Sequence, residues 1–271
     1  MQPHSPDAIA TALNRSASPC YREGVIFRYL SVIGDSPEAF VILIAAFATA
    51  MLVGLAFHEF SHAYVADGLG DPTPRSMGRL TLNPRAHLDP VGSALIFFIG
   101  FGWAKPVPIN PFRTRNPKQA LVLISAAGPA SNLLIAGLAG IPIKMGLVPF
   151  WHPFVPPVFA GQFAELWTRS PQDMIGLFLG TVVFINVLLA IFNFLPIAPL
   201  DGFQAVVGLL PNDLSRQFAS TAKWGPGILM VLILIPFIGD GSINPLFDLI
   251  DPPRRFLLNL FVGEASTFRV G

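Results

Sequence analysis

Charge is what this sequence has least of. Of its 271 residues only 12% are Asp, Glu, Lys or Arg, about half the share in an ordinary soluble domain. Hydrophobic residues make up 52%, and the mean hydropathy is +0.59. So little charge argues against a soluble surface and for one polytopic membrane domain. A net charge of +1 gives no basic footprint, which excludes nucleic acid as an expected partner. Cysteine is nearly absent as well. Cys20 stands alone, so an intramolecular disulfide framework and a thiolate metal cluster are both excluded, and any metal must take nitrogen and oxygen ligands. Residues 1–37 lack a basic start, an apolar core and a small-residue cleavage site, so no secretory signal peptide is expected. They read as a polar, flexible extension, followed by a single domain over 38–260 and a tail over 261–271.

What is present in abundance is long apolar runs. A membrane-spanning helix needs ~20 mostly apolar residues. Ala39 to Ala66 supplies them, with no charge at all between Ala39 and Phe57, before "DGLGDPTP" breaks the pattern. Gln119–Ile143 and Ile175–Phe194 are further candidates, and Pro226–Ile238 is a shorter fourth. The run "VGSALIFFIGFGW", 91–103, is below spanning length and is expected to be re-entrant or buried. "MGRLTLNP" alternates Arg79 and Thr81 with Leu80 and Leu82, which suits a short strand. The expected fold is therefore an all-α polytopic membrane protein of about four to six transmembrane or re-entrant helices, with a short β element after the first long helix.

Loop basicity sets an expected orientation. Residues 67–118 hold Arg75, Arg79, Arg85, Lys105, Arg113, Arg115 and Lys118, whereas 144–174 hold only Lys144 and Arg169. By the positive-inside rule the first stretch is cytoplasmic, which suggests an integral protein of the cell membrane. Two further crossings bring the chain back at Phe194, so Asp201 emerges on the same face as His62. Two polar clusters far apart in sequence are thereby free to meet.

The first cluster ends the first apolar run, in "LAFHEFSHAYVADGLGD". Residues four apart share a helix face ~6 Å apart along the axis, so His58 and His62 can aim ring nitrogens at one metal. Glu59, ~100° around the helix, can reach a metal-activated water without ligating. Zinc lowers that water's pKa toward ~7 and a carboxylate can take its proton, the mechanical reason for the His-Glu-x-x-His signature of metalloproteases. A catalytic zinc takes a third protein ligand from elsewhere. His87, in "RAHLDP", is one candidate, although its polar loop favours a surface position. Asp201 is the better one, a lone acid placed after an apolar helix by Pro196 and Pro199; as an Asp-Gly turn it could instead cap a backbone amide.

Four ordered stretches, "HEFSHAYVADGLGDPTPRSMGRLTLNPRAHLDPVGS", "FGWAKPVPINP", "AAGPASN" and "NFLPIAPLDG", resemble the site-2 protease family of intramembrane zinc metalloproteases, in its minimal branch without a PDZ domain. The resemblance implies His58, His62 and Asp201 as zinc ligands, Glu59 as general base, and Asn193 as a contact for substrate or the developing oxyanion. It implies Zn2+ as cofactor, a transmembrane protein as substrate, lipid as surroundings, and hydrolysis of a peptide bond in or near a membrane-spanning segment. Asn132 is expected to hydrogen-bond between helices. Pro106, Pro108 and Pro111 make "FGWAKPVPINP" an extended segment, able to pair with an unwound substrate or to serve as a rigid loop. One departure is Phe203, where relatives often carry a second glycine after Asp-Gly. A non-catalytic scaffold and a metal transporter are the competing readings. Intact His58, Glu59, His62 and Asp201 oppose the first; His4, His87 and His152, all outside the expected spans, oppose the second.

Overall fold

The computed structural model describes residues 32–34, 36–92, 102, 104–155, 159–237 and 243–263. The N-terminal extension, the run 91–103 and the C-terminal tail fall largely outside these residues. Apart from the single turn Thr73–Ser76, four α-helices follow one another from Pro37 among the described residues: α1 (Pro37–Gly68), α2 (Pro117–Lys144), the short α3 (Ala160–Trp167) and α4 (Pro171–Asn193). Of these α1, α2 and α4 are long and apolar enough to cross a membrane.

Those three begin with one local device. Ser36, Asn116 and Ser170 each accept the N–H of the residue three positions on, and a proline follows each cap directly. The cap satisfies an otherwise orphaned donor, and proline gives up none at the first helical position. α1 runs for 32 residues, about 48 Å at 1.5 Å per residue, well beyond the ~30 Å hydrocarbon core. Its end projects toward the interface, where Gly70, at a φ of 104°, lets the chain turn away.

α4 is the central helix: 67% of its apolar window is buried, against 39% for α1 and 33% for α2. Phe47, Trp167, Leu177, Phe184 and Leu258 belong to the main core around it. After α4 the chain reverses through Phe194–Leu200 into α5 (Asp201–Leu209), which lies along α2. Lys118 at the start of α2 donates its Nζ to the Leu210 carbonyl, closing the far end of α5 against α2. α6 (Asn212–Ser220) and α7 (Gly225–Leu234) follow, and α8 (Pro245–Val262) returns to pack on α4 and α2. The expected fourth span is the ten-residue α7 plus a 3-10 turn, Ile235–Phe237, too short to rank with the other three.

The expected β element does not form. Among the described residues the only pairing is an isolated antiparallel bridge, Leu88 with Ala104. Alternation in "MGRLTLNP" misled because burial runs against it: Arg79 is buried and donates to the Ala86 carbonyl, while Leu82 is exposed. The stretch wraps around the turn Pro84–Ala86 and satisfies its polar groups through side chains.

The reversal from α4 to α5 depends on Gly202, where a Cβ would sit 2.6 Å from the Leu195 carbonyl oxygen and closer still to that of Phe194. Gly202→Ala is expected to lower stability by about 1–3 kcal/mol through overpacking, read as a fall in thermal midpoint of the purified protein.

Candidate metal centre

His58, Glu59 and His62 lie in the last third of α1, and all three are buried, at 4%, 8% and 5% exposure. Burying them requires partners, because a carboxylate or imidazole in an apolar setting is costly when unpaired. His62 Nδ1 lies 2.6 Å from the carbonyl oxygen of Ile124 on α2, so that nitrogen carries the hydrogen. His58 Nδ1 lies 2.7 Å from Asn132 Oδ1, also on α2. The Asn132 amide donates to Gly54 O and to Asn186 Oδ1 on α4, which identifies its oxygen as the atom facing His58. With both rings neutral, both Nδ1 atoms therefore donate, and both Nε2 atoms keep bare lone pairs.

Those lone pairs face one another and a third acceptor. His58 Nε2 and His62 Nε2 are 3.1 Å apart, and Asp201 Oδ2, opening α5, lies 3.0 and 3.2 Å from them. Asp201 Oδ2 is buried yet in hydrogen-bond geometry with no donor. Three acceptors this close repel unless a cation lies among them. A proton between the rings would leave the carboxylate oxygen unserved, whereas a metal ion serves all three. Zinc bonds of ~2.0–2.1 Å in a tetrahedron put ligand atoms about 3.3 Å apart, close to the triangle seen here. Gly128 of α2 packs over the rings, where a Cβ would come within 2.6 Å of His58 Nε2. The residues thus fit a zinc ion, for which two imidazoles and one carboxylate would be the ligands.

Glu59 does not join this triangle. Its Oε2 accepts the N–H of Val107 at 3.1 Å, bringing the extended stretch 104–110 beside the centre. Asn193 is the last residue of α4, with its Nδ2 donating to Leu189 O at 3.0 Å. His87 is neither a ligand nor a surface residue: it is fully buried and bonded to Thr81 O. Asn132 does bond between helices, and one of its partners is the ring of His58. Sequence reading passed over Asn186 and Gly54. Asn186 had a readable signal, an amide in mid-span of an apolar helix, where unpaired polarity is costly. Gly54 is required because a Cβ there would meet Asn186 Oδ1 at 2.7 Å.

Groups that orient metal-bound histidines typically account for ~10–100-fold in metal affinity. Asn132→Leu is therefore expected to weaken zinc binding by about that factor, measured by chelator competition, while secondary structure stays as in the parent.

The sequence pattern of peptidase family M50 matches residues 46–235. The chain is 35% identical to the Bacillus subtilis protein named "Putative zinc metalloprotease YwhC" over 217 residues, covering 78% of this chain and 88% of that one. It is 31% identical to "Putative zinc metalloprotease Rip2" of Mycolicibacterium smegmatis, over 77% of this chain and 71% of the relative. It is 29% identical to the protein of that name in Mycobacterium tuberculosis, over 78% and 74%. No solved structure matches. With the bare-nitrogen triangle inside the matched region, the chain belongs to peptidase family M50, the site-2 protease family of zinc metalloproteases.

Proposed function

We propose that this metalloprotease is an endopeptidase acting on a peptide bond in or near a transmembrane segment of another membrane protein. The supporting observation is that two corners of the acceptor triangle, His58 and His62, lie in the final turns of a helix long enough to span a bilayer. His62 lies six residues before the end of α1 and His58 ten, about 9 and 15 Å in at 1.5 Å per residue. A bond presented there belongs to a membrane-embedded or membrane-flanking segment. In such a segment the carbonyls are committed to helical hydrogen bonds, so the substrate must unwind before attack.

In this reading His58, His62 and Asp201 hold zinc, which when bound supplies a Lewis acid and a water of lowered pKa. Glu59 takes the proton from the attacking water and returns it to the leaving amine nitrogen. Asn193 helps to stabilise the developing oxyanion: an amide has two hydrogens, and Leu189 O takes one. The extended stretch from Ala104, with Pro106 and Pro108 breaking any helix, lines the approach to Glu59. The excess of Lys and Arg in 67–118 supports a centre facing the cytoplasmic side of the cell membrane. A transport path would need ligands along the helices, and His87 is instead committed to Thr81.

The test is Glu59→Gln beside the parent, each assayed for bound zinc and for cleavage of a model transmembrane substrate. Zinc is expected to be retained in both and cleavage to fall by ~10²–10⁴ in the variant. Equal cleavage by the two would remove Glu59 from the chemistry, and a parent without zinc would overturn the reading.

A further inference from the structure

His87 is a fully buried imidazole that no step of the proposed hydrolysis uses. Its Nε2 lies 2.7 Å from the carbonyl oxygen of Thr81, so the hydrogen resides on Nε2, and Nδ1 has no hydrogen-bond partner. Leaving a buried acceptor unserved is unfavourable, so an apolar residue of the same size would be the more stable choice if packing were the only demand. What the ring does is cross-link the irregular loop that holds it. Thr81 and His87 stand on either side of the turn Pro84–Ala86, and the bond between them fixes where the backbone of residue 87 lies.

That backbone is the first of three supports under the stretch leading to Glu59. His87 O accepts the Lys105 N–H at 2.7 Å, and Leu88 bridges to Ala104. Two residues on, the Val107 N–H donates to Glu59 Oε2 at 3.1 Å. Farther along, the Asn110 N–H donates to Asp71 Oδ2 at 2.6 Å, and Asp71 is itself fully buried and tied to Thr73. Pro106 and Pro108 carry no N–H, and of the four amides over 105–110 those at 105, 107 and 110 tie the stretch to its surroundings. The support from His87 O is the one adjacent to the Glu59 bond.

We propose that His87 is a positioning residue for Glu59: its bond to Thr81 holds the loop that registers Lys105, and Lys105 in turn places the Val107 N–H against the Glu59 carboxylate. The inference rests on Glu59 being the base of the proposed hydrolysis. Misplacement of a reacting group by ~1 Å is worth up to ~100-fold in rate, so losing one of three supports should give a measurable fraction of that.

The experiment compares His87→Leu with His87→Gln, similar in size but differing in the donor, since the Gln amide nitrogen falls near the position of Nε2. Each is assayed for zinc content, for kcat and KM on a model transmembrane substrate, and for amide exchange of peptides covering 105–110, whose only amides are at 105, 107, 109 and 110. Expected for His87→Leu are full zinc, a kcat lower by about tenfold with KM within about twofold, and exchange in 105–110 faster by about tenfold. His87→Gln should restore kcat and exchange to near the parent values. Equal kcat in the two variants, a change confined to KM, or a lower kcat with unaltered exchange would each overturn the proposal. Should His87→Leu fail to fold, His87→Asn, too short to reach Thr81 O, takes its place in the same contrast. An inactive parent would instead overturn the protease reading, so the two failures are told apart.

Discussion

Two ring nitrogens and a carboxylate oxygen held within 3.2 Å of one another, three acceptors when the rings are neutral, are the constraint on which the rest of this structure depends. Such a cluster is repulsive by itself. It persists because α1, α2 and α4 each contribute to fixing it, and because α5 is folded back by a glycine-dependent reversal that delivers the carboxylate. The two imidazoles keep bare Nε2 atoms only because Ile124 O and Asn132 Oδ1 have claimed their Nδ1 hydrogens. Removing either acceptor would free a ring to flip or change tautomer, and the triangle would lose its geometry before the fold lost its helices.

Magnitudes indicate what the buried amides are for. Hydrogen bonds between membrane helices average roughly 0.6 kcal/mol and rarely exceed ~2, so the Asn132 and Asn186 network adds only modestly to stability. An orienting bond on a metal ligand governs ~10–100-fold in affinity, about 1.4–2.7 kcal/mol by the tenfold rule. The network joins three spans by bonds whose larger effect is on one ring. Glycines at 54 and 128 serve the same end by omission, since a methyl group at either would occupy the space of the amide or the imidazoles.

Much of this was legible from residue order. The three spans, the two histidines and the carboxylate on one helix, and the return of Asp201 to their face all follow from local pattern and crossing count. Less legible was whatever depends on atoms without side-chain identity. The Ile124 carbonyl and the Val107 amide are main-chain groups, and no sequence pattern announces which of them will meet a side chain. The loop 77–90 failed as a strand for a related reason. Alternation predicts burial only when a sheet partner exists, and Arg79, Thr81 and His87 instead close the loop on itself through carbonyls that any residue could supply.

The alternation of proline with donor residues over 105–108 has a consequence of a different kind. An extended segment with free amides at the surface invites a second copy of itself to add on, which is how edge strands seed association. With Lys105 and Val107 N–H turned inward and none at 106 or 108, two such segments laid side by side would meet without donors on the facing edge. The chain keeps an open backbone beside its metal centre without making that backbone a template for clustering in the crowded plane of a membrane.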